Sequence, residues 1–167
     1  VEVAPGLAIE RLTHIALEAV PNLEPGLLFV EREFGVLELH SRERAEVQRA
    51  AEAILTGVGA SSEDQIRPEA TYRDVITGIT DTHAVLINRR RQGSMIMPGE
   101  SLLIYELRPA LFAALAANEA ERAVPDVRLV DVAMIGAVGR IYAAGTASNV
   151  QKAAQVIDDI LAQHSGE

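Results

Sequence analysis

Apolar residues fall into two rhythms along this chain, and the same succession of rhythms occurs twice. Ile9, Leu12, Ile15, Ala16 and Ala19 recur at helical spacing, with Glu10, Arg11 and Glu18 on the opposite side, so a helix opens near Pro5 and stops at Val20-Pro21. The runs Leu27–Arg32 and Val36–His40 then read as two strands joined at a tight turn. Val47, Ala50, Ala51 and Ile54 return to the i, i+3, i+4, i+7 pattern of a second helix. The order helix, strand, turn, strand, helix reappears from Pro109, where Ala113, Ala116, Ala117 and Ala120 mark a helix with small side chains nearly all round. Strands at 127–135 and 140–144 follow, then a helix carrying Val150, Ala153, Ala154 and Ile157.

The two passages are copies. At an offset of 104, Pro5, Leu7, Ala16, Ala19, Val20, Pro21 and Gly35 meet Pro109, Leu111, Ala120, Ala123, Val124, Pro125 and Gly139. One residue is then lost, and at an offset of 103 Val47-Gln48-Arg49-Ala50-Ala51 meets Val150-Gln151-Lys152-Ala153-Ala154. Before the second copy stand a strand at 71–77, a short helix near Thr82–Asn88 capped by Asp81 or Thr82, and a strand at 101–107. Only Val1-Glu2-Val3-Ala4 occupies the corresponding place ahead of the first copy, which is expected to be abbreviated there. Gly57–Arg67 is the natural linker, giving units at 1–66 and 67–167. Each unit reads as α+β, a mixed antiparallel sheet with helices packed on one face.

Composition narrows the function. With 49% hydrophobic and 23% charged residues, 167 residues bury a real core. A net charge of −9 repels a phosphate backbone, and 4% aromatic residues offer few stacking platforms, so nucleic acid is a poor partner. The absence of cysteine removes disulfides and thiolate sites. No run reaches the about 18 to 20 apolar residues of a spanning helix, and residues 1–20 are too acidic and periodic for a signal peptide; a soluble cytosolic protein without a membrane partner is expected.

Chemistry leaves little trace. His14, His40, His83 and His164 are scattered, with no spacing for a metal or a base, so no catalytic residue, metal site or cofactor is assigned. Gly136-Ala137-Val138-Gly139 imitates part of a dinucleotide fingerprint but joins two strands and opens no helix, so it holds no phosphate. Arg89-Arg90-Arg91 reads first as the cationic end of a helix and second as an anion-facing or inter-chain contact. Glu31-Arg32-Glu33-Phe34-Gly35 ends an apolar run in three charges at a turn, which taken alone is a solvated hairpin tip.

The duplication, together with Val30–Gly35, Leu86–Gly93, Ala116–Ala123 and Gly136–Arg140, resembles the bacterial microcompartment shell proteins, specifically the circularly permuted class with two tandem domains of the ferredoxin-like BMC fold. The resemblance spans nearly the whole chain. It implies a homotrimer that imitates a hexamer, with the turns of all six domains converging on a pore for small metabolites, and with trimers that can stack in pairs. By position, Glu31, Arg32, Glu33, Phe34 and Gly35 in one copy and Gly136, Ala137, Val138 and Gly139 in the other would line that pore, and Glu31 with Arg32 would gate it. Glu18 and Arg122 would stand at the tile edge, where the family usually has a lysine. Other shell proteins are the implied partners, and the shell of a microcompartment in the bacterial cytoplasm the implied location. Gly35 and Gly139 are expected in the tight turns, where φ > 0 favours glycine. Two further readings are a trimeric regulatory module that binds a small metabolite, and an enzyme using Glu31, Arg32, Glu33 and His40.

Overall fold

The computed structural model describes residues 1–164. The chain forms two compact units, Val1–Ile66 and Arg67–Glu167; 165–167, inside the expected second domain, lie outside the described residues.

The first unit runs β1 (Glu2–Val3), α1 (Ala8–Ala19), β2 (Glu24–Glu31), β3 (Phe34–His40) and α2 (Arg44–Val58). Its sheet has the order β1-β3-β2, with antiparallel pairing throughout. Proline does not start α1 directly: Pro5–Leu7 form an entering turn in which Ala8 N–H donates to the Pro5 carbonyl at 3.0 Å, and the helix begins at Ala8. It ends where Val20 N–H returns to Ala16 O and Pro21 has no N–H to continue the ladder. The apolar stripe Ile9, Leu12 and Ala16 packs with Val20, Leu23, Leu37, Ala50 and Ile54 into one core. Helix α2 runs further than its sequence pattern, to Val58, and is closed by Gly59 at φ 69, whose N–H satisfies the last-turn carbonyls of Leu55 and Thr56. One 3-10 turn, Ser62–Asp64, interrupts the linker.

The second unit runs β4 (Glu69–Ile76), α3 (Asp81–Arg90), β5 (Ser101–Arg108), α4 (Phe112–Ala123), β6 (Arg128–Ala133), β7 (Gly139–Gly145) and α5 (Ala147–His164), with sheet order β4-β5-β7-β6, again antiparallel. Side chains alternate along β5. Leu103, Tyr105 and Leu107 face α4 and α5 in one cluster, whereas Leu102 lies with Ala84 and Ile87 of α3 in another. The helices of this unit therefore cover both faces of the sheet, not one: α3 lies opposite α4 and α5. The cap of α3 is Thr80, whose hydroxyl accepts the His83 N–H at 3.3 Å, in place of Asp81 or Thr82.

The sequence offsets hold in three dimensions. Val3 pairs with Gly35 as Leu107 pairs with Gly139, and Leu28 with Leu37 as Val132 with Ile141. Each hairpin carries a bulge at the same place, between Pro25 and Leu28 and between Leu129 and Asp131. The lost residue falls in the link from strand to helix: Ser41-Arg42-Glu43 separates β3 from α2, whereas Thr146 alone separates β7 from α5.

Candidate functional site

The two strand-to-strand turns differ in kind although they occupy equivalent places. In the first unit Glu31 pairs directly with Phe34, so Arg32 and Glu33 are the whole turn. Matching the right-handed twist of a two-residue hairpin calls for positive φ, and Arg32 supplies it at φ 49, a value uncommon outside glycine, asparagine and aspartate. Glu31, Arg32 and Glu33 are all exposed, and among the described residues they form no ion pair within the chain. In the second unit Met134–Val138 join β6 to β7, five residues without a charge. Gly136 takes φ 110 there, open to glycine alone. Ala137 is exposed, and Gly136 and Val138 half-buried.

Gly35 and Gly139 are not turn residues. Both are buried in strands, and neither has positive φ. A Cβ on Gly35 would run into the carbonyl oxygen of Gly6 and come within 2.7 Å of Ile9 Cβ; one on Gly139 would run into the carbonyl oxygen of Ala110 and come within 2.7 Å of Ala113 Cβ. Each glycine lets the first turn of a helix, α1 or α4, settle onto a strand. Packing, not dihedral freedom, requires glycine here, and the residue that does adopt positive φ in the first turn is Arg32.

The tile-edge candidates are equivalent positions of opposite charge. Glu18, on the last turn of α1, lies with a carboxylate oxygen 3.4 Å from His14 Nε2; Arg122, on the last turn of α4, donates to Glu119 at 3.1 Å. Both are exposed. The arginine triplet is divided among tasks: Arg90 stacks over the Tyr142 ring at 4.8 Å, and Arg91 donates to Gly93 O at 3.2 Å. The helix-end reading is the better supported one.

The acid-base cluster imagined for an enzyme is not assembled. His40 pairs opposite Glu24 at the far end of the hairpin from Glu31–Phe34, six steps along β3 or about 20 Å. His40 instead lies 3.4 Å from Glu38. Among the described residues no group of three or more His, Asp or Glu is placed to hold a metal ion, and no helix is long and apolar enough to cross a membrane.

Pattern reading missed the polar brace of the second unit. Tyr105 is buried on the face of β5 that α4 and α5 cover and donates its hydroxyl proton to Asp158 of α5 at 2.7 Å, and Arg73 of β4 donates to the same carboxylate at 3.2 Å. Burial, chiefly, with the neighbouring carboxylate, pushes the Tyr105 hydroxyl far above its ordinary range. The available signal was the alternation Leu103-Tyr105-Leu107, which sends a hydroxyl into an apolar layer where it requires a partner.

Comparison with known proteins fits this geometry. The family described as the CsoS1D N-terminal domain matches residues 1–64. The chain is 39% identical to the carboxysome shell protein CcmP of Synechococcus elongatus, over 87% of its own length and 67% of the relative's. It is 40% identical to the carboxysome shell protein CsoS1D of Hydrogenovibrio crunogenus over 96% of itself and 78% of that protein. Among solved structures, the double-ringed trimeric shell protein MSM0271 from the RMM microcompartment superposes with a TM-score of 0.92 at 57% identity, and the fused permuted hexameric shell protein MSM0275 from the same compartment with 0.92 at 47%. Each superposition covers 99% of this chain and 81% of the other. With identity held across nearly its whole length and the same fold at better than half identity, the chain belongs to the tandem-domain shell proteins of bacterial microcompartments.

Proposed function

We propose that three copies of this chain close into a pseudohexameric tile of a microcompartment shell, inside the bacterial cytoplasm, with units 1–66 and 67–167 acting as its two BMC domains. The role is structural and not catalytic. The observation that carries the reading is the duplication in identical register: two equivalent units per chain make three chains a ring of six alternating units. In such a ring the Glu31–Phe34 and Met134–Val138 turns alternate around the axis, three charged and tight, three neutral and longer. The ring passes small metabolites and borders other shell proteins at edges that include Glu18 and Arg122.

Gating falls to Glu31 and Arg32. Three copies of each around one axis repel their own kind unless each finds an opposite partner, and among the described residues neither is engaged in an ion pair within its own chain. Pairing Glu31 with Arg32 of the next copy closes the opening; swinging both outward leaves it lined by backbone. States a few kcal/mol apart suffice for a ligand to shift the balance. Sedimentation equilibrium tests the assembly: three chain masses, or six for a stacked pair, are expected, and a stable single chain at micromolar concentration overturns it. Structures of the assembled wild type and of Glu31→Ala/Arg32→Ala test the gate. It is refuted if these side chains lie away from a three-fold axis or if both pores are the same.

A further inference from the structure

The two hairpin turns differ in charge balance as well as in length, and so do the sheet ends beside them. The tip of the first hairpin, Glu31, Arg32 and Glu33, sets two carboxylates against one guanidinium. All three side chains are exposed, and among the described residues none of them forms an ion pair within the chain.

At the matching end of the second unit the charges are balanced in pairs. Arg140, next after Gly139 on β7, donates to Glu106 of β5 at 3.0 Å, and Arg108 at the end of β5 is paired with Glu69 of β4. Each of these guanidinium groups is matched by one carboxylate, so the pairs bring no net positive charge to set against the first turn. The second turn itself, Met134–Val138, is uncharged: Met134, Ile135, Ala137 and Val138 are apolar, and Gly136 offers only backbone.

From this imbalance we infer that the opening lined by the turns discriminates by charge, passing small organic cations and neutral molecules and turning back anions such as phosphates and carboxylates. The inference rests on the pore reading above and names the class of molecule that such a pore serves. In a ring of three chains each first turn brings one carboxylate more than its guanidinium can neutralise. Pairing Glu31 with Arg32 of the next copy leaves Glu33 over, so the excess is the same whether the gate is open or closed. Rings of Glu or Asp favour cations in pores, and walls of low dielectric focus the field of such charges instead of dispersing it. The apolar second turns supply those walls. An ammonium group passing the ring meets carboxylates and its short aliphatic part meets the apolar turns, whereas a phosphate reaches Arg32 only in the company of two carboxylates.

The chain has no tryptophan, so one introduced at the second turn reports on the opening alone. Ala137→Trp, in the assembled protein, is titrated with iodide, caesium and acrylamide as anionic, cationic and neutral quenchers, each quenching constant being divided by that of N-acetyltryptophanamide under the same conditions. At low ionic strength the relative constant for iodide is expected to lie at least about twofold below that for caesium, and the difference to shrink as salt screens the field. Glu33→Gln in the same background is expected to raise the iodide constant about twofold and to leave acrylamide unchanged, an effect that reaches the second turn only where the turns of both units meet. Met134→Trp, which exchanges one large apolar side chain for another, repeats the measurement if Ala137→Trp prevents assembly. Sedimentation equilibrium on the same samples separates the two readings. A single chain overturns the pore and this inference together; an assembled ring in which iodide quenches as readily as caesium, or in which Glu33→Gln leaves the iodide constant unchanged, overturns the inference alone.

Discussion

At the scale of single residues, conformation and packing make separate demands on the turns, and the chain answers them with different amino acids. Arg32 accepts the left-handed conformation in the first turn, at φ 49, although its Cβ makes that region unfavourable by about 1 kcal/mol. Gly35 and Gly139 answer packing, because a carbonyl of the turn that enters α1 or α4 occupies the space a side chain would need. Sequence alone places a glycine beside each turn but cannot say which demand it meets: both leave the same letter, and the distinction lies in the approach of residues about thirty positions away. Gly139→Ala is therefore expected to cost about 2 kcal/mol already, since the clash begins at Cβ and involves main-chain atoms; urea unfolding measures it, and a loss below about 0.5 kcal/mol contradicts it. Arg32→Asn separates the fold from the proposed gate. Asparagine tolerates the left-handed region, so stability is expected to change by less than about 0.5 kcal/mol, while a crystal structure of the assembled variant shows an altered opening at the axis.

At the scale of elements, period was the legible part and boundary the illegible one. The two helical stripes and the strand pairs of each copy stand out because each buries one face, and burial is what writes a period into a sequence. Helix α1 begins three residues after Pro5, because Pro5 is compatible with a first turn but its carbonyl closes the turn before the helix. The side of the sheet that α3 covers was not legible from α3 itself; it follows from the alternation in β5, which is apolar at Leu102 and Ile104 as well as at Leu103 and Leu107. Two ion pairs on the strands of the second unit, one between β7 and β5 and one between β6 and the loop before β5, add a pH dependence. Arg140 donates to Glu106 at 3.0 Å and Arg128 to Glu100 at 2.6 Å, and these hydrogen bonds hold both carboxyls below the ordinary 4.5. A carboxyl depressed in the folded state contributes stability above its unfolded pKa and loses it as pH falls through the folded one. Stability of the second unit in urea is therefore expected to decline below pH 4.5, and Glu100→Gln/Glu106→Gln to flatten that decline. Parallel curves for wild type and variant would locate the acid sensitivity elsewhere.

At the scale of the whole molecule, charge decides how tiles meet. Each chain carries a net −9, so the proposed trimer brings three times that charge into one ring and repels its neighbours over about 10 Å at 0.1 M salt. Against this stand the proposed edge positions, where an attraction between Glu18 of one tile and Arg122 of the next would act at contact. Each of these is already occupied on its own helix, Glu18 beside His14 and Arg122 with Glu119. An exposed pair of this kind contributes between about 0 and 1 kcal/mol, and forming it across tiles gives up the partners already present. Repulsion between tiles then outweighs the edge pair, and salt, by screening both, acts on assembly in opposite directions through the two. Raising sodium chloride is expected to lower the protein concentration at which light scattering first reports layers, and Glu18→Lys, which reduces the charge of each chain by two, to shift that onset the same way at low salt. An onset that moves to higher concentration with salt would mean that ion pairs between tiles outweigh the net charge, as expected if Glu18 and Arg122 hold tiles together.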